Sequence, residues 1–294
     1  MAAVMAGLAL VAVGGLFLDD RTVLGQPLWL KPFKFGVSVA IYSFSLAWLL
    51  AFLDPRRRGW WITKVAVAAI IVGFYLEVGL IVFQAVRARP SHFNSATDLD
   101  NAIWTTMGSM AALFGTGTAI VAILLWRTGL PDAASRWAVR LGLLLLLAGM
   151  GEAFMMVVPT AEQLRLDEIQ DQPMLGAHAV GVADGGPGLP LTGWSTIGGD
   201  LRVGHFIGVH GLQATLLFGM LLSWLVRDAA RRTRLMFVFA GAYAGLMVLV
   251  TWQALRGQPL VEPDGVTVAA AAVLVVATVT SALLAWLRPS PSAK

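Results

Sequence analysis

The chain has 294 residues, of which 57% are hydrophobic and only 13% are charged. A soluble domain carries about 25% charged residues, so this composition excludes a soluble globular enzyme, a disordered chain and a nucleic-acid-binding module. The formal net charge is +4, and the absence of cysteine excludes disulfides, thiolate nucleophiles and cysteine-ligated iron–sulfur clusters.

Eight apolar runs are close to the length of about 20 residues that a helix needs to cross a bilayer. The predicted fold is therefore all-α, a polytopic transmembrane helical bundle of about eight spans. In chain order the runs cover residues 2–18, 33–53, 62–86, 102–126, 137–158, 203–226, 234–254 and 266–287. The first run is short, but it lacks a basic n-region and a small-residue cleavage site, which indicates an uncleaved span and not a signal peptide.

The basic residues predict the orientation of these spans. Clusters of arginine and lysine lie between spans 2 and 3, 4 and 5, and 6 and 7, and again after span 8. Because basic loops remain on the cytoplasmic side, both termini are predicted to be cytoplasmic. The long connection 159–202 and all four histidines then lie on the outer side of the cytoplasmic membrane. Thr160 and Gln163 have the spacing of a capping box and predict a short surface helix to about Gln170, followed by a glycine- and proline-rich lid.

Similar short patterns occur in both halves of the sequence. Leu30–Phe35 reads Leu-Lys-Pro-Phe-Lys-Phe at the start of span 2, and Leu201–Phe206 reads Leu-Arg-Val-Gly-His-Phe at the start of span 6. Gln84–Pro90 reads Gln-Ala-Val-Arg-Ala-Arg-Pro at the end of span 3, and Gln253–Pro259 reads Gln-Ala-Leu-Arg-Gly-Gln-Pro at the end of span 7. Since four spans separate the matches, the sequence predicts a parallel 4+4 duplication with halves 1–126 and 127–294.

Ionisable residues inside apolar spans indicate function, because burying them in lipid is costly. Glu77 and Glu152 lie within spans 3 and 5 and are, together with His210, the predicted acid/base groups. The predicted ligand-binding residues are Lys31, Lys34, Gln84, Arg87, Asn94, Arg202 and Gln213. The predicted metal ligands are His92 and His205. All these residues together predict an outward-facing polar pocket, and a structural ion pair of Glu77 with Lys34 or Arg87 is the alternative interpretation.

Two glycine pairs, Gly204-x3-Gly208 and Gly241-x3-Gly245, predict helix contacts and not cofactor sites. The sequence contains no Walker A motif, no His-Glu-x-x-His, no Gly-x-Ser-x-Gly and no GxGxxG preceded by a strand. The sequence motifs therefore indicate no particular reaction. Only the placement of the polar groups indicates a class of function.

Three classes of function are compatible with this pattern. The first is a membrane-embedded redox or metal- or haem-dependent enzyme that acts on an amphiphilic or anionic small molecule, with the histidines as ligands or as acid/base groups. The second is a proton-coupled secondary transporter of a small solute, in which Glu77 is the coupling carboxylate. The third is a non-catalytic membrane scaffold subunit. The first is preferred, because the cytoplasmic half of the bundle is nearly free of polar residues and no glycine–proline break interrupts a span.

The expected cofactor is a haem or a transition metal, and the sequence does not choose between them. The expected partners are the lipid bilayer and a small amphiphilic or anionic ligand. No nucleic acid is expected, and the sequence leaves protein partners open.

Overall fold

The computed structural model describes residues 1–130, 132–158, 174 and 176–289, and this part of the chain is mostly helical. The surface helix predicted up to Gln170 lies outside the described residues. The helices are α1 Ala2–Leu18, α2 Leu30–Ala51, α3 Pro55–Gly59, α4 Trp61–Val86, α5 Asp98–Trp126, α6 Ala133–Val157, α7 Arg202–Val209, α8 Gly211–Leu225, α9 Ala229–Leu255 and α10 Gly265–Leu287. Two short antiparallel pairs complete these elements: β1 Thr22–Val23 with β2 Gln26–Pro27, and β3 Ala179–Val180 with β4 Gly199–Asp200.

Six of the described helices are long and apolar enough to cross a membrane: α2, α4, α5, α6, α9 and α10. They confirm an integral membrane protein with an all-α fold. Six spans are thus supported, and the predicted total of eight is not confirmed. The first predicted span is a 17-residue apolar helix, shorter than the usual span. The sixth is not the continuous helix that was expected, because α7 and α8 meet at His210 with a bend of 45°.

Aspartates at the edges of the apolar runs fix where several helices begin. The Asp132 carboxylate accepts a hydrogen bond from the backbone N–H of Ser135 at 2.9 Å, at the start of α6. Asp228 and Asp264 cap α9 and α10 in the same way. An apolar run carries no start signal of its own, so the capping carboxylate determines the first turn of each helix.

Glycines bring α6 into close contact with α7 and α8. A Cβ atom built on Gly149 would lie 2.3 Å from the backbone nitrogen of Val209, and one built on Gly208 would lie 2.4 Å from the Cα atom of Gly149. The helix contact predicted for Gly204-x3-Gly208 is therefore confirmed. The second predicted pair makes contact only through Gly245, because a Cβ at Gly241 would meet nothing within 4 Å.

The bundle has two chemically different ends. At the arginine end, where α2 ends and α4 begins, Arg232 pairs with Asp132 at 2.9 Å. The largest buried apolar cluster includes Leu49, Ile70 and Leu143 and extends from this end toward Val39 and Val78. At the opposite end, called here the site end, α2 begins and α4 ends, and the two strand pairs lie beside them. The polar residues singled out in the sequence collect there.

The helices α4 and α9 end in the same way at the site end, in the segments Gln84–Pro90 and Gln253–Pro259. In each segment the N–H of the fifth residue donates to the C=O of the second, at 2.8 and 2.9 Å, and the N–H of the sixth donates to the C=O of the first, at 3.0 and 3.3 Å. These are the two hydrogen bonds of a Schellman motif. The fifth residue is left-handed in both, with φ +54° at Ala88 and +71° at Gly257.

Candidate functional site

Three of the predicted residues form a line of close polar contacts at the site end. Nζ of Lys31 lies 2.9 Å from Nδ1 of His92, and Nε2 of His92 lies 3.4 Å from Oε1 of Glu77. An ammonium group only donates, so Nδ1 of His92 accepts and the ring proton is on Nε2, which faces the carboxylate. Glu77 is 4% exposed, and its Oε2 has no hydrogen-bond partner within the described part of the chain. The line connects a carboxylate to an amine through one imidazole.

The connection between α4 and α5 holds the central imidazole of this line. The ring of His92 packs 5.6 Å from that of Trp104 and 6.2 Å from that of Phe35, measured between centroids. Burial, followed by the positive charges of Lys31, His178 and His205, lowers the pKa of His92 well below its usual value of 6.5. The imidazole is therefore neutral at pH 7 and offers one donor and one acceptor.

Two further cations lie side by side next to this line. Nζ of Lys34 donates to the carbonyl oxygen of Thr192 at 2.6 Å, and Arg202 donates to the next carbonyl, that of Gly193, at 2.7 Å. The Arg202 guanidinium is also neutralised by Asp200, with Nε 2.9 Å from Oδ1. Lys34, in contrast, has no carboxylate within 4 Å among the described residues. The Lys34 ammonium group is partly buried and can donate further hydrogen bonds besides the one to Thr192.

A second polar layer lies deeper, where α7 and α8 bend. Nε2 of His210 lies 3.4 Å from the hydroxyl of Ser38, and Nε2 of Gln213 donates to the hydroxyl of Ser45 at 3.3 Å. Oε1 of Gln213 is buried without a hydrogen-bond partner in the described part of the chain. Both pairs join α2 to α8, so the polar layer runs along the contact between these two helices.

His205 and Glu152 belong to the contact of α6 with α7 and α9. Nδ1 of His205 donates to the carbonyl oxygen of Gly149 at 2.7 Å, which leaves the lone pair on Nε2. Oε1 of Glu152 accepts from the Thr251 hydroxyl at 2.5 Å, and its Oε2 has no partner among the residues described. Glu152 is 6% exposed, so it is a second buried carboxyl group with one unused oxygen.

Three predicted ligand-binding residues lie instead in the last turn of α4 and in the connection from α4 to α5. Gln84 is fully buried and donates to Asp100 at 2.9 Å. Arg87 donates to the same carboxylate at 2.8 Å, and Asn94 donates to the Pro90 carbonyl oxygen at 3.0 Å. These contacts stabilise the turn, and a ligand-binding role for the three residues stays a prediction. The alternative pairing of Glu77 with Lys34 or Arg87 is wrong, since those two side chains donate elsewhere.

The predicted metal ligands do not form a recognisable metal site. Among the residues that the structure describes, no group of three or more His, Asp or Glu side chains is arranged to hold a metal ion. Both ring nitrogens of His92 face protein partners, so a metal would have to displace Lys31 or Glu77. His205 has only Nε2 to offer. A metal ion held jointly by His92 and His205 stays a prediction.

One close pair of polar side chains was not among the residues predicted from the sequence. Nδ1 of His178 lies 2.6 Å from Oδ2 of Asp184 in the segment that precedes α7. His178 carries no motif, and Asp184 stands in the stretch Gly-Val-Ala-Asp-Gly-Gly, which by itself indicates a turn. Only the fold of this segment brings the two side chains together.

No known protein family, curated protein or solved structure matches this chain. The residues and their geometry thus define an integral membrane protein with a buried cluster of lysine, histidine and carboxylate side chains at one end of its bundle.

Proposed function

We propose that the protein is a membrane-embedded enzyme that binds the anionic head group of a small amphiphile and transfers a proton to or from it. The observation that carries the proposal is Lys34, an ammonium group without a carboxylate partner, placed close to the Lys31–His92–Glu77 line. A carboxylate or phosphate would complete the hydrogen bonds of Lys34, and such charge-assisted bonds are strong at sites of low dielectric constant.

The line of Lys31, His92 and Glu77 would supply the acid/base chemistry. A neutral imidazole between an ammonium group and a carboxylate takes up a proton on one ring nitrogen and releases one from the other. Proton transfer to or from a positioned imidazole speeds reactions by about 10²–10⁴-fold. This chemistry needs only the three side chains, so it is preferred here over the metal- or haem-dependent reaction expected from the sequence.

A crevice beside the cations supports an amphiphilic ligand. It has a volume of about 490 Å³ and is lined by apolar residues that include Leu16, Leu30 and Leu191. Leu191 precedes Thr192, whose carbonyl oxygen binds Lys34. The crevice adjoins the end of α1, where Leu18 is 88% exposed. An acyl chain in the crevice would therefore bring its head group to Lys34.

The proposal includes an orientation and an internal duplication. The site end would face outward from the cytoplasmic membrane, with both termini and the arginine clusters in the cytoplasm. The halves 1–126 and 127–294 would form a parallel 4+4 repeat. The matching ends of α4 and α9 support the repeat. In each, the arginine of the segment binds an aspartate near the start of the next helix, Arg87 with Asp100 and Arg256 with Asp264.

A proton-coupled transporter is the second candidate, and one observation favours it. The bend at His210 breaks a helix where α8 meets α2, next to the buried Gln213. Secondary transporters place broken helices at the interface between their repeats. Uptake of butyl phosphate into proteoliposomes along a proton gradient would favour this candidate, and binding without uptake would favour the enzyme.

Binding of hexadecyl phosphate to the detergent-purified protein tests the proposed function. Isothermal titration calorimetry should give an affinity that Lys34→Gln lowers about tenfold or more, because one charge-assisted hydrogen bond is lost. Lys64→Gln is the matched control, since Lys64 is an exposed lysine of α4 near the arginine end. Equal affinities of the two variants would contradict the proposal.

The same titration tests the transfer of a proton. In buffers with different ionisation enthalpies, the heat of binding reports how many protons the complex takes up or releases. We expect a proton change in the wild-type protein that Glu77→Gln reduces and that Glu262→Gln, at an exposed acid after α9, leaves intact. A heat of binding that does not depend on the buffer would contradict the acid/base role.

A further inference from the structure

We propose that His178 is a second acid/base group of this site, positioned by Asp184, and that its Nε2 atom exchanges a proton with the ligand bound at Lys34. This inference rests on the proposed function for the identity of the ligand. The contacts of the His178–Asp184 pair do not involve Lys34.

The Asp184 carboxylate receives four hydrogen bonds from two consecutive residues. The backbone N–H of His178 lies 3.1 Å from each carboxylate oxygen, that of Ala179 donates to Oδ1 at 2.8 Å, and Nδ1 of His178 lies 2.6 Å from Oδ2. Burial would raise the pKa of Asp184, but the bonds from His178 and the two backbone amides lower it to about 2. The carboxylate is therefore ionised at pH 7 and can only accept, which places the ring proton on Nδ1 and the lone pair on Nε2.

The fold holds the backbone of His178 on both sides. The N–H of Ala177 donates to the carbonyl oxygen of Met156 at the end of α6, at 3.0 Å. The carbonyl oxygen of His178 accepts from the N–H of Leu201, just before α7, at 3.0 Å. The segment is thus anchored to two helices, and the direction of the imidazole is fixed by Asp184 and not by the free rotation of a loop residue.

Phe93 places this second imidazole close to the first. The ring of Phe93 lies 4.9 Å from that of His178 and 6.1 Å from that of its chain neighbour His92, between centroids. The side chain of His178 is 20% exposed, so the ring is not fully buried. Two neutral imidazoles from different segments therefore flank the same aromatic ring.

The charged groups around His178 favour a neutral ring that can accept a proton. Burial lowers its pKa most, Asp184 raises it, and the charges of Arg202 on α7 and Lys31 on α2 lower it, with a net decrease from 6.5. In the proposed step the proton of a ligand O–H or N–H group moves to Nε2, and the bonding pair stays on the donor atom. The ring becomes an imidazolium ion whose Nδ1–H remains bonded to Asp184, which compensates the new charge. Asp184 is thus a positioning residue.

Carbethoxylation of His178 by diethyl pyrocarbonate, followed by peptide mass spectrometry, tests the pair without a ligand. The reagent attacks an unprotonated ring nitrogen, so we expect ready modification at pH 7. Asp184→Asn keeps an oxygen for the backbone amides but removes the charge that selects the tautomer, and we expect modification at His178 to slow about tenfold. Asp19→Asn is the control, because Asp19 is another acid near the site end and pairs with Arg21 at 2.8 Å. A purely structural Asp184 would leave the rate unchanged, and that result would overturn the inference.

Saturating hexadecyl phosphate separates this inference from the proposed function. We expect it to protect His178 from carbethoxylation. Binding seen by calorimetry without protection of His178 would overturn the inference alone, whereas no binding would overturn the proposed function and the proton exchange with it. As a second variant, His178→Gln should change the number of protons that are exchanged when hexadecyl phosphate binds. An unchanged proton count would contradict the role of His178.

Discussion

Nζ of Lys31 lies 2.9 Å from Nδ1 of His92, although 61 residues of sequence separate them. The contact joins the start of α2 to the connection between α4 and α5. Glu77, near the end of α4, extends it on the other side of the imidazole. These elements converge only because α2 and α4 run in opposite directions, so that the start of one lies beside the end of the other.

Protonation of His92 is expected to destabilise the protein at low pH. Its pKa in the folded state is lowered, so the unfolded state binds the proton first as the pH falls below about 6.5, and the free energy of unfolding decreases. His92→Gln removes this contribution. Thermal unfolding in detergent should be measured from about pH 5 to about pH 8, the range in which histidines titrate. The unfolding temperature of the variant should depend less on pH than that of the wild-type protein. Identical slopes in the two proteins would show that His92 is protonated without cost.

Gly149 is expected to be intolerant of any side chain. A Cβ atom there would lie 2.3 Å from the Val209 nitrogen, so Gly149→Ala has to separate α6 from α7 and should lower the free energy of unfolding by about 1–3 kcal/mol. Gly151→Ala is the matched control on the same helix, because its Cβ would have nothing within 4 Å. Equal stabilities in denaturant titrations would mean that the two helices do not pack so closely.

The matching helix ends predict opposite effects of exchanging alanine and glycine. Ala88 has φ +54°, a left-handed conformation that costs a residue with a side chain about 1–2 kcal/mol, whereas Gly257 adopts φ +71° freely. Ala88→Gly should therefore stabilise the protein, and Gly257→Ala should destabilise it. Denaturant titrations of both variants measure the difference. The same sign for both exchanges would contradict the common geometry of the two turns.

Much of the fold could be predicted because lipid imposes long apolar runs with charged ends. The predicted span 62–86 differs from α4 only at its first residue. Both end at Val86, because Arg87 and the turn after it end the helix. The bend at His210 could not be predicted in this way, because no proline marks it. Gly208 and Gly211 make close contacts there with Gly149 and Leu145 of α6. The glycine pattern at Gly208 predicts a helix contact, but the bend itself depends on how these residues pack against α6, which the local sequence does not specify.

The same distinction holds for the candidate site, where single residues could be predicted from the sequence but their contacts could not. Lys31, His92 and Glu77 were predictable one by one, because a charged or polar group near or within an apolar run is costly without a purpose. Their partners were not predictable: Arg87 pairs with Asp100 and not with Glu77, since the turn after α4 brings the start of α5 closer. Asp184 left no signal, because a glycine-rich loop acquires its geometry only when it packs on the helices.

Labelling of single cysteines tests the proposed orientation, and the chain offers a clean background because it contains no cysteine. Leu191→Cys places an exposed thiol at the site end, and Gly59→Cys places one at the arginine end. A membrane-impermeant maleimide added to intact cells should label the first variant. The second should react only after the membrane is permeabilised. The reverse pattern would place the site in the cytoplasm.

The most direct test of a head-group site at Lys34 is an experimental structure of the protein with bound hexadecyl phosphate. We expect phosphate oxygens about 3 Å from Nζ of Lys34, at the length of a charge-assisted hydrogen bond, with the acyl chain in the crevice beside Leu16 and Leu191. A phosphate group found only among the arginines near Asp132, with Lys34 still bound to Thr192 alone, would contradict it.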